Sequence, residues 1–402
     1  MSDYKILKSF CRKIYFVGSG NFWYEQSIGD DNKLLYKTYI CTLFFMYGFM
    51  TLLEIAAAVI GTLPKDEKND SVAFAVSHTV VMIKIFSVIY NKRLIRKLNY
   101  DMVHVCQEYE DELLQKEKYF TIKINVIAYF VAVYGSAACF IFEGLRKMKE
   151  GSHFITVVTY YPSFEDNSYV ASIFRIYSTI VLLMMLMTMI VSVDTFTMVN
   201  LIMYKYKIIT LRKYFENLSA QFNEINESGD QRFAIEMLTK GLIKGFKMHT
   251  ELLRILRVID QAFGIVISLQ LCQSSGSAIS LLLQIALAEK LTFMANLKII
   301  FFVIALFFLL GRFLCNAGEI TYQAALLADS IFYCGWHACS GKHQLKGKKI
   351  GPLVLFAYTQ AQKPLILKAF KMIELTHRTY LMVIKGTYSV FTLFNSQNSN
   401  SY

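Results

Sequence analysis

Proline and charged residues are both scarce in this sequence. Only four prolines occur among 402 residues, and Asp, Glu, Lys and Arg make up 18% of the chain. Soluble domains are closer to a quarter charged, and several such domains would bring more proline into their turns and linkers. Hydrophobic residues make up 55%, with 32 phenylalanines. This composition favours a helical membrane protein over a soluble, disordered or collagen-like chain.

Chemical motifs are lacking as well. The eight cysteines form no Cys-x-x-Cys pair and no Cys/His spacing of a metal site. No His-Glu-x-x-His, Gly-x-Ser-x-Gly or phosphate-binding loop sequence occurs, and the seven histidines are scattered. We therefore expect no enzyme activity, no metal and no cofactor. The cysteines lie mostly in apolar runs, where we expect buried free thiols.

Seven runs of the chain are long and apolar enough to cross a bilayer as helices, which takes about 20 residues each. The fourth is long enough to tilt or to project beyond the lipid, and the last is the most polar. The runs are 39–60, 71–90, 122–145, 171–203, 263–288, 291–315 and one within 373–394. The sequence thus predicts an all-α, seven-transmembrane protein.

The placement of lysine and arginine predicts the direction of the chain. If the N-terminus is cytosolic, 27 basic residues fall in the inner segments and 6 in the outer ones. We therefore expect a cytosolic N-terminus and an extracellular C-terminus. Because the basic residues are spread over four inner segments, they form no single nucleic-acid-binding face, and we expect no nucleic-acid partner.

The same direction excludes G-protein-coupled receptors, whose N-terminus is extracellular. Their spans are also kinked by proline, whereas no predicted span of this chain has proline in its interior. Secondary transporters have inverted repeats or helices broken at matching positions, and neither is visible here.

The segment 312–394 carries three features in order. An aromatic and cysteine cluster comes first, with Phe332, Cys334 and Trp336, and the tripeptide QKP follows at 362–364. The third feature is the run KGTYSVF at 385–391. This order resembles the C-terminal region of the insect odorant receptor family, to which the whole chain is also similar in length, number of spans and direction.

Two differences separate the chain from relatives of that family. Gustatory receptors end in TYxxxxxQF, but Phe394 and Asn395 occupy the Gln-Phe positions here. The odorant co-receptor has a greatly extended second cytosolic loop, which in this chain covers only about 204–258. The sequence therefore resembles a ligand-tuning odorant receptor subunit.

The resemblance implies a tetrameric, ligand-gated, non-selective cation channel with a pore built from the seventh helices. Its partners would be the odorant co-receptor, a small volatile apolar odorant and membrane lipid, at the plasma membrane of olfactory sensory neurons. A metabotropic seven-helix chemoreceptor and a gustatory-type channel are the alternatives, and a transporter is a weaker one.

The chain is expected to divide into four parts. We expect a cytosolic N-terminal segment (1–38), six spans with the ligand pocket and cytosolic helical extensions (39–315), a cytosolic interface segment (316–363), and the pore-lining seventh span with a short extracellular tail (364–402).

Basic residues recur every seven positions in the predicted seventh helix, at Lys371, Arg378 and Lys385. Seven residues are close to two helical turns, so the three share one side, and Glu374 is placed to pair with Arg378. We expect this stripe to meet other helices of its own subunit, because like charge in a pore would repel cations. The opposite face would then line the pore and gate it by dewetting. The predicted pore residues are Thr387, Val390, Phe391 and Phe394.

The ligand pocket implied by the resemblance lies in the outer half of the bundle. Candidate residues are apolar or aromatic side chains of the outer halves of four spans, as is typical of small-molecule pockets. They are Phe74, His78 and Val81 in the second span, Ala132, Gly135 and Cys139 in the third, Tyr177, Ile180 and Met184 in the fourth, and Phe302 and Leu306 in the sixth.

Polar groups inside the predicted spans need partners. Glu54 and His78 lie at nearly the same depth on two spans joined by a short loop, so a hydrogen bond between them would reduce the cost of burying either. Ligand contact is the other interpretation of His78. Lys84 has no evident partner and is expected to extend toward the membrane surface. Asp194 is expected to be hydrated at the inner end of the fourth span.

Overall fold

The described part of the protein is a helical bundle with one short hairpin. The computed structural model describes residues 2–61, 65–149, 154, 160–161, 166, 168–287, 293–339 and 350–399. The helices are α1 (Asp3–Phe16), α2 (Leu34–Ile60), α3 (Lys65–Tyr90), α4 (Lys92–His104), α5 (Glu112–Lys149), α6 (Tyr169–Glu227), α7 (Gln231–Leu287), α8 (Phe293–Phe332), α9 (Ile350–Ala361) and α10 (His377–Ser399). Short 3-10 turns cover Gln107–Tyr109 and Trp336–Cys339, and strands β1 (Lys368–Ala369) and β2 (Ile373–Glu374) precede α10.

Five described helices are long and apolar enough to cross a membrane: α2, α3 from Ser71, α5, α6, and α8 from Asn296. They match the predicted first, second, third, fourth and sixth spans. The fifth and seventh predicted spans fall on α7 and α10, which do not meet the same criterion within the described residues. Helix α10 is the more polar of the two, as the sequence indicated for the seventh span.

Helix α6 lies at the centre of the bundle. It is 59 residues long and packs against α5, α7 and α8. Every residue from 193 to 204 is buried, so this stretch is enclosed on all sides. The helix begins at Ser168, whose side chain accepts a hydrogen bond from the backbone N–H of Ala171 at 3.2 Å.

Helix α7 runs without a break for 57 residues from Gln231. The predicted fifth span, which starts at 263, is continuous with the helical segment that precedes it. At about 1.5 Å per residue such a helix is far longer than a bilayer core is thick. Helix α6, with 59 residues, is also too long to lie wholly within a bilayer core.

Four charged side chains fix the N-terminal helix to this extension. Lys207 Nζ lies 3.0 Å from Asp3 and 2.7 Å from Glu110. Lys118 pairs with the same two carboxylates, at 2.8 Å from Glu110. All four side chains are at most 5% exposed. We call Asp3, Glu110, Lys118 and Lys207 the charge quartet; it is electrically neutral and joins α1, the segment before α5, α5 and α6.

The quartet determines the ionisation of Asp3. Burial acts to raise the pKa of its carboxyl, but the charges and hydrogen bonds of Lys207 and Lys118 outweigh burial and hold the pKa below its ordinary value of 3.8. A carboxyl whose pKa is lower in the folded state stabilises the fold above the unfolded pKa. That contribution is complete at pH 7 and is lost only as the pH falls below 3.8 through the folded value.

A hairpin leads into the last helix. Strands β1 and β2 pair Lys368 with Glu374 and Ala369 with Ile373. The turn between them places Phe370 and Lys371 in the left-handed region, with φ of 50° and 60°. Lys371 and Glu374 therefore lie outside α10, and the prediction that both share a helical face with Arg378 is wrong.

Candidate functional site

A small cavity lies among five helices, α3, α5, α6, α7 and α8. Its volume is about 50 Å³. Three predicted ligand residues line it: Phe74, Phe302 and Leu306. Sequence reasoning missed the other lining residues, which are Ser77, Tyr129, Val133, Ser136, Leu186, Met187, Ile190, Gln270, Gln273 and Leu309. None of the predicted residues lies on α7, although Gln270 and Gln273 stand out in the sequence as polar residues within the predicted fifth span.

The candidates on α5 and α6 lie away from this cavity because these two helices are rotated relative to the prediction. On α5 the lining positions are Tyr129, Val133 and Ser136, whereas the predicted Ala132, Gly135 and Cys139 lie one residue out of phase, or about 100° around the helix. On α6, Tyr177, Ile180 and Met184 are 66%, 39% and 48% exposed on the outside of the chain. Val81 is buried among other side chains. Both helices are apolar on several faces, so hydropathy alone did not fix their rotation.

A second, larger cavity of about 380 Å³ lies between α5 and α8, near the start of α8. Cys139, Phe142 and Phe301 line it together with the charged side chains of Glu143, Arg146 and Lys298. Glu143 and Arg146 form an ion pair at 2.8 Å.

The buried ring of Phe140 contacts side chains that line each of the two cavities. Its centroid is 5.0 Å from that of Phe74 and 5.2 Å from that of Phe302, both in edge-on contacts. Lys298 Nζ, at the larger cavity, lies 4.9 Å from the same ring. Phe140 therefore contacts lining residues of both cavities.

A buried ionic network adjoins the small cavity, and two of its side chains, Tyr129 and Gln270, line the cavity. Lys84 Nζ lies 3.2 Å from Asp194 and also donates to Gln270, while the Tyr129 hydroxyl donates to Asp194 at 2.6 Å. Lys84 and Asp194 are at most 1% exposed. The expectations that Lys84 extends to the membrane surface and that Asp194 is hydrated are wrong, because each neutralises the other inside the bundle. We call Lys84, Asp194, Tyr129 and Gln270 the ionic floor; it joins α3, α5, α6 and α7.

Glu54 and His78 form the predicted pair. The His78 Nδ1 and a Glu54 carboxylate oxygen are in hydrogen-bond contact, and both side chains are fully buried. The rings of Tyr47 and Phe74 lie 5.9 Å and 6.3 Å from the imidazole. The hydrogen bond between α2 and α3 is confirmed, and His78 does not line the small cavity.

We expect Glu54 and His78 to be energetically coupled. Glu54→Gln and His78→Gln should each lower the melting temperature, and the double variant should deviate from additivity by about 0.5–3 kcal/mol, as contacting groups do. The measurement is thermal unfolding of the detergent-purified protein. As a matched control, Glu54→Gln combined with His104→Gln, an exposed histidine, should be additive. Additivity for both pairs would contradict the coupling.

The chain is similar to known proteins in sequence and in fold. The family model described as 7tm Odorant receptor matches residues 66–388, which is most of the chain. The chain belongs to the 7tm odorant receptor family. The resemblance seen at the C-terminus is thereby confirmed. A comparison with curated proteins finds no significant match.

Two solved structures share the fold of this odorant receptor. One is the insect olfactory receptor OR5 from Machilis hrabei in complex with eugenol, with 13% sequence identity and a TM-score of 0.75 over 98% of this chain and 99% of that one. The other is the same receptor described without eugenol, with 12% identity and a TM-score of 0.70 over 97% and 96% of the two chains. At this level of identity the likeness establishes the fold alone.

The face of α10 that holds Thr387 is turned toward other helices of the receptor's own chain. Helix α10 packs on α7 and α8, and Thr387 is only 2% exposed, with Val390 and Phe391 half-buried. Arg378 and Lys385 are exposed. The expectation that the basic stripe packs on its own subunit is wrong, because the apolar side chains are the ones that gain from burial there. Phe394, the fourth predicted pore residue, is 37% exposed.

Proposed function

We propose that this protein is the ligand-tuning subunit of an odorant-gated, non-selective cation channel and binds a small, volatile, mostly apolar molecule in the cavity above the ionic floor. The observation that supports this most is a cavity lined mainly by apolar side chains, placed among five helices of an odorant receptor. The OR5 structure with eugenol bound, which has the same fold, makes a small aromatic or aliphatic odorant a suitable ligand class.

The volume of the cavity limits the ligand. About 50 Å³ is less than the 300–1,000 Å³ of sites for drug-sized ligands. Met187 lines the cavity, and its flexible, unbranched side chain can move to enlarge it. We propose that the ligand reaches this cavity from the larger one between α5 and α8 by displacing the ring of Phe140.

We propose a cytosolic N-terminus, an extracellular C-terminus and a plasma-membrane location in olfactory sensory neurons. The 27-to-6 distribution of basic residues supports this direction. A tag after Tyr402 should be stained on intact cells, and a tag before Met1 only after permeabilisation. The opposite staining would contradict the proposed direction.

The assembly we propose is a tetramer with the odorant co-receptor. Exposed apolar side chains on α9, Leu355 at 47% and Phe356 at 70%, support an interface role for the segment 316–363. Cells that express this chain with the co-receptor should give cation currents in response to volatile compounds, whereas cells with the co-receptor alone should not respond to the same compounds. Currents that require G-protein signalling would favour a metabotropic receptor instead.

We propose that the ion path runs along the face of α10 opposite to Thr387. Lys385 and Ser389 lie about 160° from Thr387 around the helix, and both are exposed. A positive charge beside a cation path lowers cation flow. Lys385→Gln should therefore raise single-channel cation conductance, measured at the subunit ratio that gives this chain its largest contribution.

The matched variant for that test is Phe391→Ser, on the packed face of α10. It should lower surface expression, because it removes a half-buried ring, and leave the permeability ratios of assembled channels unchanged. If Phe391→Ser changes permeability and Lys385→Gln does not, the original assignment of the pore face to Thr387, Val390, Phe391 and Phe394 is the better one.

A further inference from the structure

Some polar side chains that line the small cavity already have hydrogen-bond partners within the described part of the protein, and others do not. The Tyr129 hydroxyl donates to Asp194 at 2.6 Å, and the Ser136 hydroxyl donates to the carbonyl oxygen of Val133 at 2.8 Å. The Gln270 carbonyl oxygen accepts from Lys84, and its amide nitrogen donates to Ser274 at 3.1 Å. Each of these side chains therefore has a partner inside the protein.

Gln273 and Ser77 are the exceptions among the cavity's polar residues. Both line the cavity and both are half-buried, and neither has a hydrogen-bond partner among the described residues. A carboxamide on a membrane-embedded helix is costly without a partner, because lipid offers none. Gln273 lies on α7 one turn from Gln270, so the same helix face holds one amide that is fixed by the ionic floor and one that is not.

We infer that Gln273 recognises a hydrogen-bonding oxygen of the ligand, with Ser77 as a second polar contact. The ligand would be a small apolar molecule with one hydroxyl or carbonyl oxygen, and its body would pack on Phe74, Phe302 and Leu306. The amide can donate to a carbonyl and can also accept from a hydroxyl, so alcohols, phenols and ketones all fit. A hydrocarbon of the same length leaves the amide unpaired, which is penalised once water is excluded.

This inference rests on the proposed ligand site but not on channel activity. It distinguishes two kinds of polar group at one cavity: the ionic floor holds helices together, and Gln273 selects ligands. A variant of Gln273 should therefore change which ligands bind without breaking the pairs of Lys84 and Asp194.

The test compares n-alkanes, 1-alkanols and 2-alkanones of five to eight carbons. Binding is measured as thermal stabilisation of the detergent-purified protein, and activation as current in cells with the co-receptor. Concentrations are matched in the membrane or detergent phase, because alkanes partition into it more strongly. The oxygenated compounds should bind about tenfold more tightly than the alkane of equal length. Gln273→Met should reduce this preference to about threefold or less, because the oxygenated compounds lose a hydrogen bond and the alkane no longer leaves an amide unpaired.

Two further variants complete the test. Ser77→Ala should reduce the preference by a smaller factor, and it serves as the second probe if Gln273→Met does not reach the membrane. Gln261→Met makes the same chemical change at an exposed position of α7 and should leave the preference unchanged.

The outcomes separate the ligand chemistry from the channel function. Equal binding of alkanes and oxygenated compounds by the unmodified protein would overturn the inference, as would an undiminished preference in Gln273→Met. Stabilisation by oxygenated compounds without any current would support the inference and contradict the proposed channel. If no compound stabilises the protein or evokes current, both the ligand site and the inference fail.

Discussion

Replacement of Lys207 by methionine is expected to lower the free energy of unfolding by about 3–5 kcal/mol, because it leaves an uncompensated buried charge. Asp3 and Glu110 would then share Lys118 alone, and the quartet would carry a net negative charge away from water. Lys207 is fully buried, so solvent cannot replace the lost partner. Thermal unfolding of the purified protein should show a melting temperature several degrees lower, and surface expression should fall.

Two comparisons test whether charge balance is the cause. Adding Glu110→Gln to Lys207→Met restores neutrality and should recover part of the loss, since the two sites interact. Lys240→Met removes a lysine that is 76% exposed and pairs with Glu236 at 2.9 Å, and such surface pairs contribute about 0–1 kcal/mol. Equal effects of Lys207→Met and Lys240→Met would contradict a stabilising role for the quartet.

The ionic floor should be equally sensitive. Among the described residues, Lys84→Met leaves the buried Asp194 carboxylate with the Tyr129 hydroxyl as its remaining partner. We expect a loss of about 3–5 kcal/mol together with retention inside the cell. The double variant Lys84→Met with Asp194→Asn is neutral and should recover much of the stability. Unfolding temperature and surface labelling measure both effects.

A milder pair of variants examines the tyrosine of the ionic floor. Tyr129→Phe removes a hydrogen bond to a charged group and should cost about 1.5–3 kcal/mol. Tyr134→Phe, five residues further along α5, removes a partly exposed contact of 3.1 Å with Thr188 and should cost less than half as much. A larger effect of Tyr134→Phe would show that the buried network does not contribute as argued.

The sequence predicted a pair of polar side chains on two consecutive helices, but it did not predict the pair formed between helices far apart in the chain. Glu54 and His78 are 24 residues apart on helices joined by a short loop, so their depths could be compared directly. Lys84 and Asp194 are 110 residues apart on helices that are not consecutive. Since the order of helices around the bundle was unknown, no partner for Lys84 could be named.

The cysteines illustrate how burial differs from hydropathy. Most of them lie in apolar runs and were expected to be buried. Cys11 and Cys106 are buried, but Cys41 and Cys272 are exposed on the surface of the isolated chain. In a membrane protein an apolar run faces lipid as readily as it faces the core, so composition alone does not distinguish the two sides.

The sequence by itself determined the all-helical class, the positions of five long apolar helices and the family. These follow from the length of apolar runs, from helical periodicity and from a local motif at 385–391, all of which are properties of contiguous residues. The rotations of α5, α6 and α10, the cavity they leave, the ionic floor and the charge quartet were decided by the tertiary structure. The physical reason is that a helix with apolar residues on several sides has no preferred rotation until its neighbours are in place. A buried charge, likewise, has no preferred partner until distant parts of the chain come within a few ångströms.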